Sequence, residues 1–312
     1  MKFHITFLLL SILVTGCNGG RSNGLPSSTG QPYEIMLEGD TANIVAEILT
    51  EDVPGLPQSE PLCNVINVKR GKAKGSYSVV RTRIVVDIDK RHDGFSARSS
   101  KDENASPQLV IHIKAKSAEQ LKTMLYDKNG QPNNNAEKLR SLIDQSEQQH
   151  LTAVIKRNPE RQREVKRMFG LDMKIPLSLN AGKRGKDFLW LSNNATSGMQ
   201  NLLIFRVKRK ERRGKNDALA DLQPQVDSIL RKNMPGETDS MYMAIPRLAE
   251  RGLWEMKGDA MGGPYVMRLI RPATGKDMIA VIGFVYAPEM KKRNLIKQLE
   301  ATLHTIQQET IQ

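Results

Sequence analysis

The sequence is poor in cysteine, in aromatic residues and in long apolar runs. It has two cysteines and 5% aromatic residues in 312 positions, so the core must rest mainly on Leu, Ile, Val and Met. No apolar run reaches the roughly 18 residues that a spanning helix needs, which excludes a polytopic membrane protein. Hydrophobic residues nevertheless make up 39% and charged residues 26% of the chain. These proportions are typical of a globular protein and exclude a disordered tail.

Motifs of common catalytic and cofactor sites are also missing. The sequence contains no GxGxxG or GxxxxGK[ST] phosphate loop, no HExxH and no SxxK. The histidines are scattered along the chain, at His4, His92, His112, His150 and His304. Because they form no Cys/His cluster at metal-ligand spacing, we expect neither a metal site nor a cofactor.

The first 17 residues carry a processing signal. Met1 and Lys2 precede an apolar stretch over 3–14, and Val14-Thr15-Gly16-Cys17 follows. An aliphatic residue, two small residues and a cysteine match a lipobox, in which the thiol receives a diacylglycerol and cleavage frees the amine for acylation. We interpret residues 1–16 as a lipoprotein signal peptide and Cys17 as a lipidated membrane anchor. An ordinary signal peptide with a chance cysteine is the alternative.

Residues 17–32 then form a tether rich in Gly, Ser, Asn and Pro. Its r.m.s. reach is about 20 Å. The tether contains no Asp or Glu, whereas signals for surface display tend to be acidic, so we expect the periplasmic face of the outer membrane. With Cys17 used by lipid, Cys63 has no disulfide partner. Its apolar surroundings predict a small buried side chain rather than a nucleophile.

The pattern over residues 33–312 predicts an α+β fold. Predicted strands cover 33–38, 62–69, 81–89, 108–114, 187–192, 201–208, 265–270 and 278–286, and predicted helices 41–51, 117–126, 217–230 and 289–306. A strand–turn–strand–helix unit thus recurs about three times, which favours antiparallel sheets with helices covering one face.

A long helical stretch separates the first of these units from the later ones. It covers 136–169 and is broken at Asn158-Pro159, where an Asn cap precedes a Pro at the first helical position. Ser117 and Gln120 form a capping box at the start of another helix. Two subdomains split near residue 170 and one continuous sheet through both halves are both compatible with this pattern.

Several motifs are distinctive in combination. They are RGLWE at 251–255, MGGPY at 261–265, GFVYAP at 283–288, KKR at 291–293 and LPQSEP at 56–61. Together with the lipobox they resemble the domain-of-unknown-function 4837 (DUF4837) family over about residues 30–308. The resemblance implies a lipid-anchored envelope protein and supplies no activity, cofactor or catalytic residue.

The MGGPY segment suggests a candidate groove. Gly262 and Gly263 permit close backbone approach, and Trp254, Tyr265 and Tyr286 offer stacking faces to a sugar or ring. The simpler alternative is a tight Gly-Gly-Pro turn between strands, with the aromatic side chains in the core.

Three acids give this groove a possible enzymatic role. Glu60, Glu255 and Asp259 would be paired carboxylates of an enzyme or enzyme-accessory module acting on envelope glycan. The sequence supplies no separation between them, and unrelated acids are the simpler interpretation.

Positive charge is the second strong signal, with a formal net charge of +13. Seven cations and one acid lie between positions 206 and 215; the cations are Arg206, Lys208, Arg209, Lys210, Arg212, Arg213 and Lys215. Further clusters occur at 69–74 and 161–167. An exported protein rarely meets nucleic acid, so we expect anionic lipid, an acidic wall polymer or an acidic protein as partner. A solvated loop is the alternative. The sequence therefore favours a non-enzymatic binding or scaffold module with a basic face.

Overall fold

The computed structural model describes residues 24–208, 220–238, 240–272 and 277–307. Two sheets organise these residues. The first has five strands, β1 (Glu34–Glu38), β2 (Asn64–Val68), β3 (Thr82–Ile88), β4 (Ser96–Lys101) and β5 (Leu109–Ala115), in the order β2-β1-β3-β5-β4. The α+β class is thereby confirmed at the coarse level of mixed helices and sheets.

The predicted antiparallel pairing is wrong for this first sheet. β1 pairs in parallel with β2 and β3, and β3 pairs in parallel with β5, while β4 runs antiparallel to β5. The physical reason is the connection between β1 and β2, which contains helix α1 (Ile44–Thr50) instead of a tight turn. A crossover of this kind returns the chain so that the next strand runs in the same direction.

Helices cover one face of the five-stranded sheet. The apolar side chains of α1, α2 (Ala118–Leu125) and α3 (Asn134–Val154) form one core with the side chains on that face of β1, β3 and β5. The opposite face is covered in part by the 69–80 segment, where Ala73 and Val80 pack against Met36. This second face therefore has only partial cover and no helical layer of its own.

The second sheet is antiparallel throughout and has seven strands. They are β6 (Ala181–Arg184), β7 (Phe188–Ser192), β8 (Met199–Lys208), β9 (Tyr242–Ala244), β10 (Arg251–Lys257), β11 (Gly262–Ile270) and β12 (Asp277–Tyr286), in the order β6-β7-β8-β12-β11-β10-β9.

Helices cover both faces of this sheet, not one as predicted. Leu202 and Ile204 of β8 pack with α4 (Pro159–Phe169) and α6 (Arg293–His304). Leu203 and Phe205 point the other way and pack with α5 (Gln223–Asn233). Because both alternating faces of β8 are apolar, each needs its own helical cover.

The two helix starts predicted from capping residues are confirmed. The Ser117 hydroxyl accepts a hydrogen bond from the Gln120 amide at 3.2 Å, and α2 follows. Asn158 accepts from the Arg161 amide at 3.2 Å, with Pro159 at the first position of α4. In both cases a side-chain oxygen satisfies an otherwise unpaired amide of the first turn.

Helix α6 is buried between the two halves of the chain. One side packs on the seven-stranded sheet through Ile296, Leu299 and Leu303. Its other side contacts α3, where Ala301 joins the core of the first half. Two carboxylate oxygens of Glu60 accept hydrogen bonds from the amides of Lys292 and Arg293, at 2.6 and 3.0 Å. The loop from the first half thus caps a helix of the second.

None of the helices in the described part of the chain has both the length and the apolar character that crossing a bilayer requires.

The cap gives a stability prediction for Glu60→Gln. Both oxygens of Glu60 are acceptors, so an amide would turn its NH₂ group toward one of two amide donors and leave that buried donor unpaired. We expect unfolding free energy to fall by about 1–3 kcal/mol in chemical denaturation. Glu137→Gln is the matched control, because Glu137 makes an exposed ion pair with Arg140 and should change stability by less than about 0.5 kcal/mol. Equal effects of the two substitutions would contradict the role given to the cap.

Candidate functional site

A cleft of about 310 Å³ lies where the two halves meet. Residues from α1, α3, the 51–63 loop, β10 and α6 line it. Its central side chains are Tyr33, Cys63, Asp144, Arg251 and Lys297. No local motif connects these positions, so the sequence analysis missed this cleft.

A chain of hydrogen bonds crosses the cleft. The Tyr33 hydroxyl donates to Asp144 at 2.7 Å, and the Lys297 ammonium group donates to the same carboxylate at 2.6 Å. Burial and the nearby Asp144 carboxylate raise the pKa of Tyr33 far above its usual range. Burial works to raise the pKa of Asp144, but Lys297 and Tyr33 outweigh it and hold that pKa below its ordinary value. Asp144 is therefore ionised and Tyr33 neutral at physiological pH.

Cys63 is buried as the sequence predicts. Burial raises the pKa of its thiol to about 12, against the weaker opposing effect of Arg293. A thiol with such a pKa is protonated near neutral pH and is a poor nucleophile. None of the described residues lining the cleft is a histidine that could act as its base.

The candidate groove residues lie in and around the core of the seven-stranded sheet. Trp254 and Tyr265 are buried, and their polar atoms are satisfied by backbone: Trp254 donates to the Val285 carbonyl at 3.1 Å and Tyr265 to the Arg247 carbonyl at 3.0 Å. Tyr286 is half-buried at the edge of the Trp254 ring, with centroids 6.2 Å apart. The aromatic side chains fill core, as in the simpler alternative.

Gly262 and Gly263 lie in strand β11 and not in a turn. A Cβ atom on Gly263 would stand 2.2 Å from the Val285 carbonyl oxygen, and one on Gly262 would stand 2.8 Å from that of Trp254. These glycines therefore permit close packing of neighbouring strands. Their physical role requires no ligand.

The three candidate carboxylates have separate partners. Glu60 caps α6, Glu255 forms an ion pair with Lys257, and Asp259 accepts from the Ala260 amide. Nothing in the described residues pairs two of them across a cleft beside Trp254, so the geometry gives the glycan-cleavage alternative no support. Groups of His, Cys, Asp and Glu able to hold a metal ion are likewise absent from residues 24–307 outside the gaps.

Two basic clusters of the sequence meet at one edge of the seven-stranded sheet. Arg206 donates to the Met168 carbonyl at 2.9 Å and lies 5.7 Å from the Phe169 ring centroid, which places the end of β8 against the end of α4. Arg161 donates to the Asn180 carbonyl at 2.7 Å, which holds α4 beside the start of β6. We call the resulting surface the basic edge: Arg163, Lys166, Arg167, Arg184, Lys186, Arg206 and Lys208.

Few acids neutralise the basic edge. Lys166 lies 3.8 Å from Asp172, and Arg206 lies 3.7 Å from Asp187. All its members except the half-buried Arg206 are exposed. The remaining predicted contact residues, Arg209, Lys210, Arg212, Arg213 and Lys215, lie outside the described residues, as does Cys17.

Comparison with known proteins finds two family models. Residues 158–305 match Domain of unknown function (DUF4837), which confirms the resemblance over that stretch. Residues 28–156 match a different family, Domain of unknown function (DUF8532). The first match spans the seven-stranded sheet and the second spans the five-stranded sheet. No curated protein and no solved structure matches the chain.

The lowered pKa of Asp144 predicts a pH dependence. A carboxyl group whose pKa is lower in the folded than in the unfolded state stabilises the fold above its unfolded pKa, and this stability is lost as pH falls through the folded value. Asp144→Asn should therefore cost about 0.5–1 kcal/mol at pH 7, because the side chain is 44% exposed and partly screened.

Denaturation of both proteins between pH 7 and pH 2 measures this effect. The difference between wild type and Asp144→Asn should shrink toward low pH. Asp93→Asn, which changes an exposed aspartate, should give no comparable difference. A constant deficit of Asp144→Asn at every pH would contradict the electrostatic explanation.

Proposed function

We propose that this protein, with its DUF4837-like second half, is a non-enzymatic binding or scaffold module of the cell envelope. It is anchored through a lipidated Cys17 and contacts an anionic partner through the basic edge. The observation that carries the proposal is the convergence of α4, β6 and the end of β8, which concentrates exposed cations from three separate stretches of sequence. Its location is the periplasmic face of the outer membrane.

The physical force of the basic edge is electrostatic. A surface with many cations and few acids attracts anions over a distance that depends on the ionic strength. Each Lys or Arg near an anionic membrane surface contributes about 1 kcal/mol. In the sequence, residues 209–215 follow directly after β8 and add five further cations. Anionic lipid head groups are the partner that these magnitudes fit best.

The lipid anchor at Cys17 keeps the basic edge, and therefore its electrostatic attraction, close to the membrane. Two or three acyl chains hold a protein far more firmly than one. The first described residue is Gly24, seven positions after Cys17, so the folded part stays close to the bilayer. Proximity raises the effective concentration of membrane-associated partners without any new contact.

Counting reactive thiols tests the anchor. If Cys17 is joined to lipid, the native protein extracted from membranes should show no thiol that reacts with a disulfide reagent at pH 8, since the Cys63 thiol is buried with a pKa of about 12. Unfolding should release one thiol per chain. One reactive thiol before unfolding and two after it would contradict lipidation, as would the absence of metabolic fatty-acid label.

A charge substitution tests the basic edge. Arg163→Ser, Arg167→Ser, Arg184→Ser and Lys186→Ser together should weaken binding of the full chain, immobilised on beads, to anionic vesicles by up to about 4 kcal/mol at low salt. The effect should decline as salt rises.

The control carries the same charge change at another place. Lys69→Ser, Lys72→Ser, Lys74→Ser and Lys90→Ser remove four exposed cations next to the five-stranded sheet. This variant should retain most of the binding. Equal losses in both variants would show that net charge alone, and not the basic edge, determines binding.

A further inference from the structure

Two exposed aliphatic residues lie near the C-terminal end of α3. Val154 is 55% and Leu177 53% exposed, more than any other large apolar side chain of the described residues. The Leu177 amide donates to the Lys156 carbonyl at 2.7 Å, and the Asn158 amide donates to that of Ile175 at 2.8 Å. We call Val154, Ile155, Pro176 and Leu177 the apolar tip.

The tip is held outward by the core behind it. Val154, Ile155 and Pro176 line a mostly aliphatic cleft of about 200 Å³, together with Leu151 and Leu299. Leu151 and Leu299 are buried in the two cores. Val154 therefore projects from a packed base, so presenting it to a partner costs little ordering entropy.

Cations surround the apolar tip. Lys156 and Arg157 are exposed and make no ion pair with a carboxylate of the described residues. The Lys174 ammonium group donates to the Thr152 carbonyl at 2.8 Å, at the end of α3. Exposed aliphatic side chains flanked by Lys and Arg are typical of a surface that enters the head-group region of an anionic bilayer.

The tether leaves the fold beside the C-terminal half of α3. The Ser106 amide donates to the Pro26 carbonyl at 2.9 Å, and Pro107 lines a cleft that extends along α3 from Leu142 to Ala153. The 21 residues of α3 span about 31 Å, so its other end is distant from both features. Ser27 comes ten positions after Cys17, which permits a span of at most about 35 Å.

We infer that the apolar tip docks on the anionic bilayer surface to which Cys17 is anchored. Val154 and Leu177 enter the boundary between head groups and acyl chains, and Lys156 and Arg157 contact lipid phosphates. This inference rests on the proposed anchor and adds an orientation: the end of α3 faces the membrane. The occupant is lipid and not a second protein. The tether brings the bilayer to this end of α3, and the negative charge of the bilayer surface complements the flanking cations.

Depth-dependent fluorescence quenching tests the inference on the full lipid-anchored chain. Val154→Cys and Leu177→Cys are each labelled with bimane and reconstituted into phosphatidylglycerol-containing vesicles with a nitroxide at a shallow acyl position. Both probes should lose most of their fluorescence. Leu253→Cys is the matched control, since Leu253 is 44% exposed and lies in β10, toward the opposite edge of the sheet from β6. The bimane at this control position should keep most of its fluorescence.

Charge removal completes the test. Lys156→Ser and Arg157→Ser should each lower occupancy of the docked state about fivefold, and neutral phosphatidylcholine vesicles should lower it for wild type.

Equal quenching at all three positions, or none, would overturn the docking inference. So would a blue-shifted tip probe that lipid nitroxides do not quench, because that result identifies a protein contact. The mass of the same protein shows separately whether Cys17 is acylated, so a failed anchor is distinguished from a failed dock.

Discussion

The burial of α6 between two separate sheets is the constraint on which the rest of the structure depends. Its apolar stripe packs against the seven-stranded sheet, whereas Ala301 and the neighbouring polar residues contact α3. A helix buried on nearly all sides cannot leave either half without exposing apolar surface, at about 25 cal/mol for each Å². The Glu60 cap and the contact of Lys297 with Asp144 then fix the orientation in which this burial occurs.

The relative positions of the proposed binding surfaces depend on this orientation of the two halves. Partly buried ion pairs such as Lys297–Asp144 add little net stability, because desolvation offsets much of the attraction. They do select one relative placement of the two halves. With that placement fixed, the tether exit from the first half and the apolar tip at the seam lie at one end of α3. The basic edge belongs to the second half, so its position relative to the membrane also depends on α6.

The sequence predicted elements whose signals are local. The starts of α2 and α4 followed from Ser117 and Asn158, and most apolar strands lay within a few residues of their observed positions. Strands β4, β6, β9 and β10 were missed. β4 and β6 are exposed edges without apolar alternation. The parallel pairing of β1 was missed because it is set by a crossover connection. Tyr33 and Lys297 are far apart in sequence, and only the fold brings them together in the cleft between the two halves. The charge signal was visible in sequence, but the contact between α4 and β8 was not.

Hydrogen exchange of the α6 amides tests the central claim most directly. If the two halves form one cooperative unit around α6, the amides of residues 297–303 should exchange as slowly as those of β1 and β12, and only through global unfolding. Their protection should decline in step with both sheets as denaturant is added. Faster exchange of α6 than of either sheet, or separate transitions for the two sheets, would contradict the account.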